Sequence, residues 1–443
     1  MERTLIADLK THIGEDVTIM GFVSVRRDQG KLVFFDFRDM SGIVQGVVLP
    51  SNPNIEAAKN ITVESSVSVT GKVNARPEKN IVQGKQNGDI ELLITSITVL
   101  SAAETLPFEL TADIHLETHL DNLPLTLHSE RARDIFTMQS TLLEAYRQSL
   151  RSQGFTEFIA PALVGGDAEG GAAAFKVEYF NDTTAYLATS PQFYKQIMVG
   201  AFERAFTVAK IFRAEKSSTT RHLSEATCLD FEMGFIEDER APMRALQQAI
   251  KDSVRAAAEK HQDIFERFKT SVPLIPDEIP VLTLREAQKI LNVGEEPDLE
   301  PEHERNICAW AKSEKNSDFV FITRFPTAKR AFYTYEDPSE APFSRGFDLL
   351  FRGLEINSGA QRIHDYATLV ERMRSRNLDP KKFQFYLQAF KYGMPPHGGS
   401  STGLERYTAR MLELPNVKEA TSFPRDMVRI DGRLSEMVEP ENE

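Results

Sequence analysis

Five stretches of alternating character fill positions 15 to 100: VTIMGFVSVRR, KLVFFDFRD, GIVQGVVL, SSVSVTGKVNARP and GDIELLITSITVL, each bounded by Gly, Asn, Asp or Pro. A hydrophobic period of two marks half-buried strands. Most of these strands follow one another without a long helix between them, which predicts a small closed barrel over residues 1–102, with residues 54–60 as a short helix between the third and fourth strands. A barrel of this size can hold an unpaired oligonucleotide through aromatic stacking and nearby cations. Arg26, Arg27, Phe34, Gln45 and Glu91 are the candidates, although a run such as LVFF is also what a core strand looks like, so Phe34 has two readings.

At 443 residues the chain is too long for one core and calls for two or three domains. The net charge of −13 argues against a polyanionic partner, but its distribution weakens the objection. Residues 1–100 hold eleven Lys or Arg against twelve Asp or Glu, so the barrel is the least repulsive surface. Cys228 and Cys308 lie far apart with no metal-ligand spacing and read as buried thiols. No apolar run reaches membrane length and the first ten residues carry no signal core, so a cytoplasmic protein without membrane contact is expected.

Residues 103–131 read as an irregular linker. Beyond it, apolar residues at helical spacing over 133–153 end at Gly154, and FTEFIAPALV follows as a strand with Pro161 at an edge or bend, where a second copy could pack. GGDAEGGAAAF lacks the Lys-Ser/Thr ending of a P-loop, leaving Glu169 as its one chemical candidate. Ser190 and Pro191 are ordinary helix-start residues, so Gln192 and Lys195 just after them invite a functional reading. The segment from Phe212 to Phe235, FRAEKSSTTRHLSEATCLDFEMGF, has apolar ends and a polar middle, the pattern of a hairpin. Arg213 and Arg221 each present a planar fork to phosphate or carboxylate and His222 adds a donor, so the loop reads as an anion clamp, with a plain charged hairpin as the alternative. A helix is expected over 241–268, and FVFITRFP and AFYTYED read as strands. Asp348, Glu355 and Ser358 could hold a hard cation through oxygen.

FRAE through DFEMGF, GFTEFIAPAL with Pro161 and GLER with Arg406, together with SPQFYKQ, GLEINSGAQR, YGMPPHGG and FPRD, make the chain resemble the class II aminoacyl-tRNA synthetases of subclass IIb, and among them the aspartyl-tRNA synthetases. The resemblance implies an α+β chain: an OB-type anticodon-binding barrel over 1–102, a linker over 103–131, and a catalytic domain over 132–443 built on an antiparallel sheet flanked by helices. It implies activation of L-aspartate by ATP and Mg2+ to aspartyl-adenylate, then transfer to the 3′ end of tRNA(Asp). Transfer to tRNA(Asn), activation of asparagine instead, and a non-catalytic relative remain as alternatives. By the same resemblance Arg213 holds the reacting phosphate and carboxylate, Glu215, Arg221, His222, Leu223 and Glu355 line the ATP site, and Arg406 stacks on adenine. Asp348, Glu355 and Ser358 hold magnesium. Glu169, Gln192 and Asp230 take the ammonium of aspartate, and Lys195 and Arg362 its side-chain carboxylate. Phe34 and Gln45 read the middle anticodon base, Arg27 and Glu91 the first, and the Pro161 strand makes a homodimer. Ser401 stands where the family has glycine, Ala226 stands where many members place an aromatic ring, and the large insertion of bacterial members is missing, as in the archaeal type.

Overall fold

The computed structural model describes residues 2–84, 86–110, 114–166, 173–216 and 219–435. They form two compact units, Met1–Ala112 and Asp113–Glu443.

In the first unit β1 (Asp16–Asp28), β2 (Val33–Asp39), β3 (Gly42–Val48), β4 (Ser66–Ala75) and β5 (Ile90–Ser101) close into a barrel in the order β1-β2-β3-β5-β4. Alternation decides what faces in. Val33, Phe35 and Phe37 are buried in the barrel core, and Phe34 between them is half-buried on the outer face. Ile55–Lys59 is the expected short helix, and Arg26 donates to the carbonyls of Lys59 and Ile61 at its end, a structural task rather than a free cation.

The second unit adds β6 (Thr156–Glu157), β7 (Leu163–Val164), β8 (Lys176–Tyr179), β9 (Thr183–Leu187), β10 (Arg204–Phe212), β11 (Glu225–Gly234), β12 (Val281–Thr283), β13 (Phe319–Thr323), β14 (Gly346–Phe351), β15 (Leu354–Gln361) and β16 (His397–Gly403). Eight of them form one sheet, β12-β13-β14-β15-β16-β11-β10-β6. The sheet is antiparallel through its centre but parallel at both edges, where β12 joins β13 and β6 joins β10, a refinement of the all-antiparallel expectation. β7, β9 and β8 make a separate small sheet.

The two faces of the large sheet differ in chemistry. Leu229 and Phe231 of β11, Phe319 and Phe321 of β13 and Phe347, Leu349 and Phe351 of β14 point to the back. There they bury against the helices Glu130–Ser152, Arg240–Lys260 and Leu404–Met411. At roughly 1.5–3 kcal/mol for each large apolar side chain removed from water, this layer fixes the sheet from behind. On the front, Val320 and Ile322 of β13 and Leu350 of β14 bury against the helices Leu284–Leu291 and Pro301–Lys315, and polar side chains take the rest of that face. Ser129 caps the first of these helices by accepting from the Ala132 amide, and Gly154 follows its end at φ +83°, a conformation only glycine adopts freely.

Four expectations needed correcting. Residues 103–131 are not one linker: Leu116–Asp121 and Leu123–Thr126 are helical and belong to the second unit, where Leu120 and Leu123 are buried and Asp121 pairs with Arg429 and Arg433. The strand through Pro161 is two short strands, β6 and β7, because proline brings no amide to a ladder. The helix expected over 241–268 breaks at His261 (φ −137°, ψ 39°) into Arg240–Lys260 and Gln262–Arg267. AFYTYED makes isolated bridges, Thr334 with Arg362 and Glu336 with Ser344, and no strand. Among the described residues no helix is long and apolar enough to cross a membrane.

Candidate active site

One register row crosses the front of the sheet. Thr207 of β10 pairs with Asp230 of β11, Asp230 with Ser401 of β16, Ser401 with Ser358 of β15, and Ser358 with Asp348 of β14. Paired residues share a face, so five strands aim a line of polar side chains at one surface. Glu355 joins this surface through an irregularity. Residues three apart on a regular strand face opposite ways, but the pairing shifts between Leu349 and Leu350, so that Glu355 opposes Leu350 while Ser358 opposes Asp348.

At the β11 end lies a wholly buried charge cluster. Lys195, on the helix Gln192–Phe202, places its Nζ 2.8 Å from Asp230 Oδ2 and 3.6 Å from Glu232 Oε2, and donates to the Ser400 carbonyl at 3.1 Å. Arg362 donates through Nε to Glu232 Oε1 at 2.9 Å and through Nη2 to the Gly399 carbonyl at 3.0 Å. Burial alone would lower the pKa of Arg362, but the Glu232 carboxylate more than offsets this and raises it. Gly399 makes room for the arrangement: a Cβ there would come within 2.5 Å of Glu232 Oε2. Ser401 Oγ donates to Asp230 Oδ1 at 2.5 Å. Gln192 is buried beside Lys195 in sequence, and its Nε2 has no hydrogen-bond partner among the described residues. Behind the cluster, Tyr386 Oη donates to Gln196 Oε1 at 2.9 Å, Gln196 Nε2 meets His397 Nε2 at 2.9 Å, and His397 Nδ1 meets the Pro395 carbonyl at 2.9 Å. A carbonyl can only accept, so Nδ1 carries the proton and Nε2 accepts from Gln196; the chain is satisfied with a neutral ring, and burial pushes His397 down to about 4.

The other end is a cleft of about 200 Å³ lined by Arg213, Glu215, Arg221, His222, Leu223, Ala226, Glu355, Ser358, Ser401 and Arg406 among others. Arg213 is held loosely, 3.8 Å from Glu215. Arg221 makes two 3.2 Å bonds to Glu304, and Arg406 donates to the Glu355 carbonyl at 3.2 Å. Burial and then the neighbouring Arg406 lower the pKa of His222. Glu355 is pushed up to about 7, by burial first and then by the Asp348 carboxylate. The hairpin loop is anchored from the far end of the chain: Ser224 donates its amide to the Arg425 carbonyl and Val417 donates to the Thr220 carbonyl. The FPRD segment is therefore a support for the hairpin loop.

The expected residues thus fall into two neighbouring groups. Lys195, Asp230 and Arg362 share the buried cluster, and Gln192 is buried three positions before Lys195; Arg213, Glu215, Arg221, His222, Leu223, Glu355, Ser358 and Arg406 line the cleft; Glu169 lies outside the described residues. Two residues escaped sequence reasoning. Glu232, one side-chain alternation beyond Asp230, is the anion shared by Lys195 and Arg362, and strand period alone could have placed it on the same face. Arg330 lies far from every motif, yet its guanidinium makes bonds of 3.0 and 2.7 Å to Asp348 and 3.1 Å to Ser358. Two of the three expected metal ligands thus already hold a cation, and among the described residues no group of three or more His, Cys, Asp or Glu is arranged to hold a metal ion.

On the barrel, Arg27 of β1 pairs in register with Phe34 of β2, Phe34 with Val47, and Asp36 with Gln45 of β3. Arg27 Nη2 lies 3.3 Å from both Asp36 Oδ1 and Gln45 Oε1. Glu91 on β5 is half-buried and lies 3.8 Å from Arg76. Arg27, Phe34, Asp36 and Gln45 therefore share one outer face, an aromatic ring set among polar groups.

Comparison with known proteins gives this arrangement its context. Residues 115–427 match the family described as tRNA synthetases class II (D, K and N), and residues 17–100 match the OB-fold nucleic acid binding domain. The chain is 42% identical to the aspartate–tRNA(Asp/Asn) ligase of Thermus thermophilus, over 97% of this chain and 99% of that one. It is 41% identical to the enzyme of the same name from Deinococcus radiodurans, again over 97% and 99%, and 37% identical to the aspartate–tRNA(Asp) ligase of Thermoplasma acidophilum, over 97% and 100%. Among solved structures, asparaginyl-tRNA synthetase from Pyrococcus horikoshii complexed with asparaginyl-adenylate superposes with a TM-score of 0.89 at 30% identity, covering 97% of this chain and 99% of that one.

Proposed function

The chain belongs to the class II tRNA synthetases of the D, K and N family, and from that premise we propose that it is an aminoacyl-tRNA ligase that joins L-aspartate to tRNA at the expense of ATP. The observation that carries the choice of amino acid is the buried quartet Lys195, Asp230, Glu232 and Arg362, two cations against two anions. A free aspartate adds one ammonium and one side-chain carboxylate to it. The ammonium replaces Lys195 on Asp230, with Gln192 as a second contact, and the carboxylate takes the released Lys195 together with Arg362. Every buried charge keeps a partner. Asparagine brings the ammonium without the anion and would strand Lys195, and an uncompensated buried charge costs about 3–5 kcal/mol. The solved asparaginyl enzyme shares the fold, but this charge balance favours aspartate.

Arg213 is half-exposed and lines the cleft, and on this reading its fork would sit where the carboxylate of the bound amino acid meets the α-phosphate. That carboxylate is already a nucleophile, so no general base is required: it forms a bond to the α-phosphorus as pyrophosphate leaves. Arg213 spreads its fork over the charge developing there, Arg221 and His222 face the leaving phosphates, and Arg406 covers the base. The oxygens of Asp348, Glu355 and Ser358 suit a hard cation, and Arg330 already marks Asp348 and Ser358 as a place that accepts one. These residues would hold magnesium, which when bound neutralises charge on the phosphates. The tRNA 3′-hydroxyl then takes the aspartyl group and AMP leaves. At the other end of the tRNA, Phe34 is the base-stacking ring of the barrel face, with Arg27, Gln45 and Glu91 as its polar readers. Two of the three relatives above are named for tRNA(Asp) and tRNA(Asn) alike, which supports charging of both. Ile159 is 86% exposed and Leu163 41% exposed around Pro161, apolar surface that supports a homodimer through this segment. The cytoplasm, where translation runs, is the proposed compartment.

Exchange of labelled pyrophosphate into ATP tests the first step: aspartate should support it and asparagine should not. Exchange with asparagine alone would sink the pocket reading. Parallel charging of purified tRNA(Asp) and tRNA(Asn) tests the second, and a single charged tRNA would narrow it to that one.

A further inference from the structure

Arg330 makes more contacts than an ordinary surface ion pair. Its fork is bidentate on Asp348, its Nη1 also donates to Ser358 Oγ, and its guanidinium carbon lies 3.7 Å from the centroid of the Phe325 ring. Asp348 and Ser358 are register partners on adjacent strands, so one cation ties β14 to β15 on the front face of the sheet. The backbone leaves it space: a Cβ on Gly346 would lie 3.3 Å from Arg330 Nε, tighter than an undisturbed contact. The Arg330 side chain is 17% exposed and that of Asp348 9%.

This geometry sets a condition on any divalent ion that uses these oxygens. In the protein alone, both Asp348 oxygens and Ser358 are already engaged by a fork whose charge cannot be removed by deprotonation. An incoming ion must displace three charge-assisted hydrogen bonds, for a few oxygens in return. A triphosphate changes the balance, because it supplies further oxygens to the ion and alternative acceptors to the guanidinium. We propose that Arg330 is a positioning residue that stands in for the divalent cation at Asp348 and Ser358 in the free protein, so that metal binds there only together with the nucleotide. The inference rests on the reading of the cleft as an ATP site.

The test is binding of Mn2+ to the full-length protein, followed by the loss of the free-ion signal in electron paramagnetic resonance, with and without ATP. Wild type should bind Mn2+ weakly alone and at least about tenfold more tightly with ATP once the Mn2+ that ATP complexes without protein is subtracted, a coupling of about 1.4 kcal/mol. Arg330→Met keeps an apolar stem against Phe325 and removes the charge; it should bind Mn2+ alone at least about tenfold more tightly than wild type and lose most of the coupling. Arg330→Lys keeps a charge and should stay near wild type. A buried pair that serves only to stabilise the sheet would change the melting temperature and leave free-ion affinity unmoved. Tight Mn2+ binding by the wild type without ATP overturns the proposal, and this measurement needs no variant to fold. So does unchanged free-ion affinity in a folded Arg330→Met. Failure of wild type to bind ATP by calorimetry overturns the cleft reading instead, which keeps the two failures distinct.

Discussion

The two halves of the front face solve opposite problems. Around Asp230 the side chains of Lys195 and Glu232 are fully enclosed, Arg362 is nearly so, and each ion has an internal partner. Around Arg213 the chemistry is open: that side chain is 42% exposed and its nearest carboxylate is 3.8 Å away. On the proposed reading the enclosed half serves selection, since a buried charge left alone is heavily penalised and only a ligand with the right pair of charges avoids the penalty. The open half, on the same reading, serves admission, since a triphosphate needs several cations that can adjust as it enters and as pyrophosphate departs. Stability and activity should therefore separate on one side of the boundary and not on the other.

The sharpest way to break this contrast is to remove one cation from each half. Lys195→Met leaves Asp230 and Glu232 short of a partner and should abolish measurable aspartate-dependent exchange while lowering unfolding free energy by about 3–5 kcal/mol. Arg213→Ala should cost about 10²–10³-fold in exchange, as loss of one transition-state donor does. Its unfolding free energy should move by no more than about 0.5 kcal/mol, as for other exposed substitutions. Urea titrations beside exchange assays read both; an Arg213→Ala protein destabilised as much as Lys195→Met would erase the distinction.

His397 supplies the next test, because it supports the enclosed half from behind. Burial holds it at about 4, below its ordinary 6.5. A depressed folded-state value means that its neutral ring contributes stability fully above the unfolded pKa, and that this is lost as pH falls through the window from 6.5 to about 4. Below that window both states carry the proton and the loss is complete. His397→Gln should remove about 3 kcal/mol of the acid-induced loss, read as the difference in urea unfolding between pH 7 and pH 4. Equal losses in the two proteins would move the acid sensitivity to other groups.

Sequence legibility also divides along this boundary. The barrel was readable because alternation is a local signal: each of its five strands appears where the period of two placed it. Arg213, Arg221 and Arg406 were readable because they stand inside compact motifs, and their side chains do line one cleft. What the sequence hid depends on pairing between distant strands. Glu232 becomes the shared anion only when β15 and β16 bring Arg362 alongside β11, 130 positions away. Arg330 meets Asp348 across a segment that carries no periodic pattern, and Glu355 faces the cleft only because of a register shift. The short helices at 116–126 were missed because each is too brief to show a helical period and their hold on the unit is long-range: Leu120 and Leu123 are buried, and Asp121 pairs with Arg429 and Arg433.

Ser401 sits on the boundary and gives the smallest and most diagnostic effect. The family pattern has glycine here, and from sequence the added side chain would be expected to crowd the backbone near ATP. Its hydroxyl instead donates its one proton to Asp230, the acceptor proposed for the ammonium of aspartate, while the residue also lines the cleft proposed for the nucleotide. Replacing it with glycine leaves Asp230 with Lys195 as its remaining partner in the enclosed cluster. Loss of one such hydrogen bond is worth about 1 kcal/mol, so Ser401→Gly should raise the KM for aspartate about fivefold. The KM for ATP should stay near wild type, and the unfolding free energy should fall by about 1 kcal/mol with the lost hydrogen bond. If the KM for ATP falls while that for aspartate holds, Ser401 acts on the nucleotide by crowding, and the boundary between the two halves lies one strand closer to β11 than the hydrogen bond places it.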